Sequence, residues 1–169
     1  LRIPFVRIVA GGKVNRDVLD IVLLNSRTPD ERVGDLKAQF AANPVGVRSI
    51  EALFKRYGDK VTESTIAAYL DFPEKRFRAA INGLQPGTYE AQDRLDGTRD
   101  GEFAYIRLKL KVGKGRLDFD FSASDKQIAS ARNIPHRAVL ATIYTVAKSL
   151  LDPDVPANAG YYRTITVKG

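Results

Sequence analysis

Ile106-Arg-Leu-Lys-Leu-Lys-Val-Gly-Lys-Gly-Arg-Leu-Asp-Phe-Asp-Phe121 decides how the chain folds, because its apolar residues recur at every second position on both sides of a glycine turn. Ile106, Leu108, Leu110 and Val112 alternate with Arg107, Lys109 and Lys111. After Gly113-Lys114-Gly115, Leu117, Phe119 and Phe121 alternate with Asp118 and Asp120. Successive strand side chains point to opposite faces, so the pattern predicts a β-hairpin from Phe103 to Ser122 with one apolar face. On its other face, bases of one strand meet acids of its partner, each pair contributing about 0.2–1 kcal/mol. The basic run is explained by its own hairpin, without phosphate.

Upstream of the hairpin the period is helical. Thr28 and Glu31 fit a capping box with Pro29 at the first helical position, which predicts a helix starting at Thr28. Val33, Leu36 and Phe40 form its apolar stripe, and Asn43-Pro44 is expected to break or kink it. Val47, Ile50, Phe54 and Tyr57 then predict a second helix ending at Gly58, the two packing as a pair. A third pattern from Thr62 carries Ile66 and Leu70, is expected to break near Phe72-Pro73, and resumes at Phe77 and Ile81. Gln85-Pro86-Gly87 closes this helical half. Before it, Leu1 to Val9 is a β-branched run stopped by Gly11-Gly12, and Val18 to Leu24 fits strand or helix. Downstream, a closing helix is predicted from Pro135 to Leu151, with Val139, Ile143, Val146 and Leu150 as its stripe and Asp152-Pro153 as its end. The fold class is therefore α+β: an N-terminal helical half, an antiparallel hairpin-rich second half and a closing helix.

One stretch of the first predicted helix joins structure to function. In Asn25-Ser-Arg-Thr-Pro-Asp-Glu-Arg-Val-Gly-Asp-Leu-Lys-Ala-Gln-Phe-Ala-Ala-Asn43, Asp35 and Gln39 project together four residues apart, beside the small residues Gly34, Ala38, Ala41 and Ala42. With Gly46-Val-Arg-Ser-Ile-Glu-Ala-Leu-Phe-Lys-Arg-Tyr-Gly58, this stretch resembles the middle of the hydantoinase B family. That family comprises N-methylhydantoinase B subunits, the matching part of 5-oxoprolinases and the large subunits of acetone-type carboxylases. Leu117-Asp-Phe-Asp-Phe-Ser-Ala-Ser-Asp-Lys-Gln127 with Asn133, and Leu150-Leu-Asp-Pro-Asp-Val-Pro-Ala-Asn158 through Val167, resemble two later segments in the same order. Two positions depart from the pattern, Ala123 where the family carries Gly and Thr164 where it carries Pro, which puts the turn geometry there in question.

The resemblance implies that residues 1–169 are a single or partial domain, a piece of a longer hydantoinase B type subunit. It implies a hydrolase acting on the C–N bond of a cyclic amide, with a carboxylase of the same family as the alternative. The partner implied is a hydantoinase A type subunit that uses ATP and Mg²⁺, giving a hetero-oligomer in the cytoplasm. A divalent metal of the family is expected in sequence preceding Leu1, and the isolated chain is expected to be inactive alone.

Composition narrows the alternatives. The chain has 169 residues, 44% hydrophobic and 28% charged, enough for a core of its own. No run approaches the roughly 18 apolar residues of a membrane span, so no membrane is expected as a partner. The net charge of +7 raises nucleic acid as a partner. Its even scatter, without a basic tail or aromatic RNA-binding motif, argues against it.

Zero cysteines remove disulfide and thiolate chemistry, and the single histidine, His136, rules out a several-imidazole metal site within the chain. No metal is assigned. Asp93, Asp96 and Asp100 read as turn residues, and no phosphate loop or serine-nucleophile elbow is present. The candidates that remain for facing a small-molecule substrate or another subunit are Asp35, Gln39 and Asn43 on the first helix. Asp120, Gln127 and Asn133 join them from around the loop after the hairpin. Their carboxylates and amides suit a cyclic amide's N–H and C=O. Helix capping and loop bracing are equally good uses for each. A non-catalytic assembly module is the competing class: catalysis requires Asp35 and Gln39 to open onto a cavity, whereas assembly buries them against another chain.

Overall fold

The structure, a computed structural model, describes residues 3–97, 103–130 and 132–169. Its contacts divide it into two compact units, Leu1–Thr62 and Glu63–Gly169. In the first, Val9–Ala10 (β1) and Lys13–Val14 (β2) pair through Gly11 and Gly12, whose φ angles of 53° and 75° lie in the left-handed region. Glycine reaches that region without strain, and the turn it makes matches the twist of a tight hairpin. The ambiguous run that follows is helix α1 (Arg16–Leu24), capped by Asn15, whose side chain accepts the Val18 N–H.

Helix α2 (Pro29–Tyr57) starts at the predicted place with Thr28 as N-cap, but the Thr28 side chain makes no cap hydrogen bond. The capping box therefore does not form; the Thr28 ψ of 73° is not the extended geometry of a bonded cap. The break at Asn43-Pro44 does not occur either, and the two helices expected to pack as a pair are one helix of 29 residues. Pro44 withholds only the bond to the Phe40 C=O. Because α2 has no buried residue, that carbonyl remains within reach of water. Gly58, at φ 77°, ends the helix and donates its N–H to Phe54 O at 2.8 Å.

Helix α3 (Asp59–Asn82) begins three residues before the predicted Thr62 and also runs unbroken through its proline, Pro73. The carbonyl that Pro73 leaves without an intrahelical donor is Tyr69 O, four residues back. Asn158 Nδ2 donates to it at 3.1 Å. A substitute donor thus lets the helix continue where sequence alone implies a break.

After the turn at Gln85-Pro86, the chain forms β3 (Gly87–Asp96), β4 (Phe103–Gly113) and β5 (Arg116–Asp120). Asp93 and Asp96 lie in β3 rather than in turns, and Asp100 lies outside the described residues. The predicted opposition of basic and acidic faces holds: Lys109 stands opposite Asp120 and Lys111 opposite Asp118, with Leu110 opposite Phe119 on the other face. Helix α4 (His136–Leu151), the single turn α5 (Ala159–Tyr162) and β6 (Ile165–Lys168) complete the chain. β6 adds parallel to β5, giving the order β3-β4-β5-β6, so the sheet is mixed rather than antiparallel throughout. The α+β class stands.

Phe77 and Ile81 of α3, Val112, Leu117 and Ile165 of the sheet, and Ile143 and Ala147 of α4 build one core with Val155 and Tyr161. The predicted α4 stripe is rotated, since Ala147 is buried while Val146 and Leu150 are exposed. Tyr161 packs against Phe77 and Tyr144, and burial pushes its hydroxyl up to about 12. Thr164, fully buried, donates both its N–H and its hydroxyl to Tyr161 O, the first being a bond proline cannot make. Ala123 needs no left-handed backbone, because no non-glycine residue among those described has positive φ.

Candidate functional site

The six candidate residues fall into two sets. Asp35, Gln39 and Asn43 are all exposed on α2 in the first unit. Asp35 Oδ2 accepts a 2.7 Å ion pair from Arg32 Nη1 one turn earlier, with both side chains about half exposed. Such a pair contributes little to stability. Gln39 and Asn43 continue the same polar line toward Pro44.

The second set lies on β5 and the loop that follows. Asp120 Oδ1 accepts the Ser122 N–H at 2.8 Å, and Lys168 Nζ stands 3.7 Å from its other oxygen. The Ser122 hydrogen bonds, helped by Lys168, hold its carboxyl below the usual carboxylate range. Asn133 is spent on the loop itself: its Oδ1 accepts the Ile128 N–H, and its Nδ2 donates to the carbonyls of Ile128 and Ser130. It braces the segment on which Gln127 is exposed. His136 is exposed at the first turn of α4.

Asp120 opens onto a groove of about 570 Å³ over the sheet, which Glu90, Gln92, Arg107, Lys109 and Ser122 also line. Sequence reasoning treated Arg107 only as a charge of the hairpin, and the structure makes it the hub of this groove. Its guanidinium donates to Gln92 Oε1 at 3.0 Å, Ala123 O at 2.9 Å and Asp125 Oδ1 at 2.8 Å, and it lies 4.9 Å from the Tyr105 ring centre. Asp125 also accepts the Tyr105 N–H and returns its own N–H to Tyr105 O, while the Ser124 hydroxyl accepts the Arg107 N–H and donates to Arg107 O. Residues 123–125 thereby prolong the β4 ladder where β5 has ended. The one signal in the sequence was Ser122-Ala-Ser-Asp125, residue types whose side chains bond backbone groups.

The Tyr105 N–H first and Arg107 second hold the Asp125 carboxyl below the usual range. Arg107→Ala removes only the second. Side-chain carboxyl NMR is expected to show the Asp125 midpoint rising part of the way toward a free carboxylate, and no movement would remove Arg107 as the anchor of the loop.

Among the described residues, no three His, Cys, Asp or Glu side chains stand close enough to hold a metal ion. These residues do not form a site for the divalent ion the family resemblance implies.

The fold and these segments define a member of one enzyme family. The family model described as Hydantoinase B/oxoprolinase matches residues 1–169, and the chain belongs to that family. It is 33% identical over 169 residues to the beta subunit of a caprolactamase from Pseudomonas jessenii, covering 99% of this chain and 29% of that protein. To a putative D-/L-hydantoinase B subunit from Pseudomonas sp. strain NS671 it is 29% identical, covering 99% of this chain and 30% of that one. The crystal structure of an ATP-dependent caprolactamase from Pseudomonas jessenii superposes with a TM-score of 0.83 at 26% identity, covering 99% of this chain and 29% of that one. A nucleotide-free acetone carboxylase structure shares the fold, with a TM-score of 0.77 at 15% identity over 94% of this chain and 23% of that one. The chain thus spans less than a third of the length of these proteins. The two sequence relatives are named as subunits.

Proposed function

We propose that this chain works as part of a subunit of an ATP-dependent cyclic-amide hydrolase of the hydantoinase and oxoprolinase type, opening a ring at its C–N bond. The observation that carries this reading is the 33% identity to the caprolactamase relative over the whole chain. In this reading ATP and Mg²⁺ are held by a hydantoinase A type partner, which activates the ring amide, in the cytoplasm, within a hetero-oligomer. The Asp35–Gln39 line on α2 supplies a carboxylate and an amide at the spacing of one helical turn, matching the N–H and C=O of a ring amide. Asp120, at the sheet groove, and Gln127, on the loop after the hairpin, offer the same types of group. The carboxylase branch rests on fold alone. A structural role in assembly has one observation in its favour, the absence of any buried residue along α2 despite Val45, Val47, Ile50, Leu53 and Tyr57.

The test is an assay of the complete subunit and its ATP-using partner against hydantoin, 5-oxoproline, caprolactam and acetone with bicarbonate, with and without ATP. Ring opening that needs ATP is the expected result; carboxylation alone would move the protein to the other branch. The 169-residue chain by itself is expected to turn over none of them. In the complete enzyme, Asp35→Asn and Gln39→Ala are expected to lower activity at least tenfold. Their melting temperatures should stay within a degree or two, since exposed polar substitutions usually change stability by less than about 0.5 kcal/mol. Full activity in both variants would assign α2 to scaffold.

A further inference from the structure

The outer edge of β3 is long, regular and unpaired. Every residue from Gly87 to Asp96 is in register with β4, no bulge or proline interrupts the strand, and among the described residues no strand lies beyond it in the sheet. Such an edge is a template for another strand. Its free groups can be named. Ser124 bonds both backbone groups of Arg107, so the odd residues of β4 face β5 and its even residues face β3. Through the register, the odd residues of β3 are used. Thr88, Glu90, Gln92, Arg94 and Asp96 turn their N–H and C=O outward.

We propose that this edge pairs antiparallel with the same edge of a second copy of the chain, about a two-fold axis at Gln92. A two-fold perpendicular to the sheet keeps each face on its own side, so residues pair with others of the same parity. Centred on Gln92, the pairing sets Glu90 opposite Arg94 twice and Tyr89 opposite Leu95 twice. Sliding by two residues one way sets Asp93 against Asp93 and Glu90 against Asp96, and sliding the other way makes no charge pair at all. Of these three registers, only the one centred on Gln92 gains from charge.

It also continues an order already present. Across the sheet, Glu90, Lys109, Asp120 and Lys168 alternate in sign along one row, with Lys109 3.1 Å from Glu90 and Lys168 3.7 Å from Asp120. Arg94 of the second copy extends that row by one more alternation. On the opposite face, Tyr89 is 45% exposed and would be covered by Leu95. Two contacts touch the edge at its far end: Asp93 Oδ1 accepts the Arg94 N–H at 2.7 Å, and Arg132 donates to Asp96 O. Pairing replaces the first and leaves the second at the margin, with Thr88, Glu90 and Gln92 free from the start.

The test is sedimentation of the full 169-residue chain across concentrations, combined with amide hydrogen exchange. A monomer–dimer equilibrium with slowed exchange at Glu90 and Gln92 in the dimer is expected. Arg94→Glu should weaken dimerisation at least tenfold, and adding Glu90→Arg should recover most of that loss. Both changes lie on the exposed face, and the exchange pattern of the β4 core reports whether each variant is folded. A dimer indifferent to Arg94→Glu would place the contact elsewhere, and a folded monomer at high concentration would overturn the proposal. Slowed exchange at Gln92 in a monomeric longer subunit would give the edge to another segment of that subunit, and that too would overturn it.

Discussion

Gly160→Ala is expected to destabilise the second unit by about 3 kcal/mol, at the upper end of what overpacking a core site costs. An added Cβ would lie 2.0 Å from Leu70 O, 2.8 Å from Pro73 Cγ and 2.9 Å from Asn158 Oδ1. The first of these is helix backbone and the second a rigid ring, so neither yields as a flexible side chain would. The close approach has a cause in the sequence. Pro73 deprives Tyr69 O of its helical donor, Asn158 reaches α3 to replace it, and the same side chain accepts the Gly160 N–H at 2.8 Å. One asparagine thus caps α5 with its oxygen and repairs α3 with its nitrogen, which holds Gly160 against the helix. Asn158→Ala should cost less, about 1 kcal/mol, because only hydrogen bonds are lost. Urea unfolding followed by circular dichroism measures both. If Gly160→Ala unfolds within about 0.5 kcal/mol of the parent, α5 does not dock on α3 in this way.

Those two prolines show how legible the helices were. Each was read as a break by the local rule, yet the apolar phase on either side of each carries the opposite message. Val33, Leu36, Phe40, Val47, Ile50, Phe54 and Tyr57 are spaced by three or four residues, with one step of seven, about two turns, across Pro44, so the stripe keeps its phase as one helix requires. In α3, Leu70, Pro73, Phe77 and Ile81 keep the same spacing, and Pro73 itself is one of the buried positions. What no reading of α3 alone contains is Asn158, a donor supplied from 89 residues away. The strands behaved differently. Period two fixed which face each β4 and β5 residue takes, because a slip by one sends Leu108 and Phe119 to the polar face. Asp93 and Asp96 resemble turn residues and so mask β3 in the sequence, and β6 joins in parallel through a contact that spacing does not encode.

For the candidate residues, placement on helix or loop was legible and use was not. Asp35 and Gln39 are exposed on one helix, as their period required. Asn133, proposed from the same residue chemistry as the others, is occupied by three bonds within its own loop. Alternation explains the place of Arg107 in a strand equally well whether it faces solvent or gathers Gln92, Ala123 and Asp125. Side-chain type limits the partners available, and tertiary contact chooses among them.

Asp152→Ala is expected to destabilise the second unit by about 2–3 kcal/mol near neutral pH. Asp152 is 8% exposed at the end of α4 and accepts a two-pronged contact from Arg76 on α3, with Nη2 2.7 Å from Oδ1 and Nε donating to Oδ2. Removing one partner of a buried pair costs about 3–5 kcal/mol when the other is left desolvated. The Arg76 side chain is 41% exposed and can rehydrate, which reduces the expected loss. The Arg76 hydrogen bonds hold the Asp152 carboxyl below its ordinary range, against the opposing effect of burial. A carboxyl whose folded pKa lies below its unfolded one stabilises the fold fully above the unfolded value, about 3.9, and loses that contribution as pH falls through the folded one. Asp152→Asn should therefore lose most at pH 7 and least in acid, below the lowered folded pKa of Asp152, so the two urea midpoints converge as pH falls. Glu74, Asp118, Asp120 and Asp125 are shifted the same way, so the variant keeps an acid limb of its own, only shallower. A constant gap between parent and Asn variant from pH 7 to pH 3 would mean that the shape of Asp152, rather than its charge, joins α4 to α3.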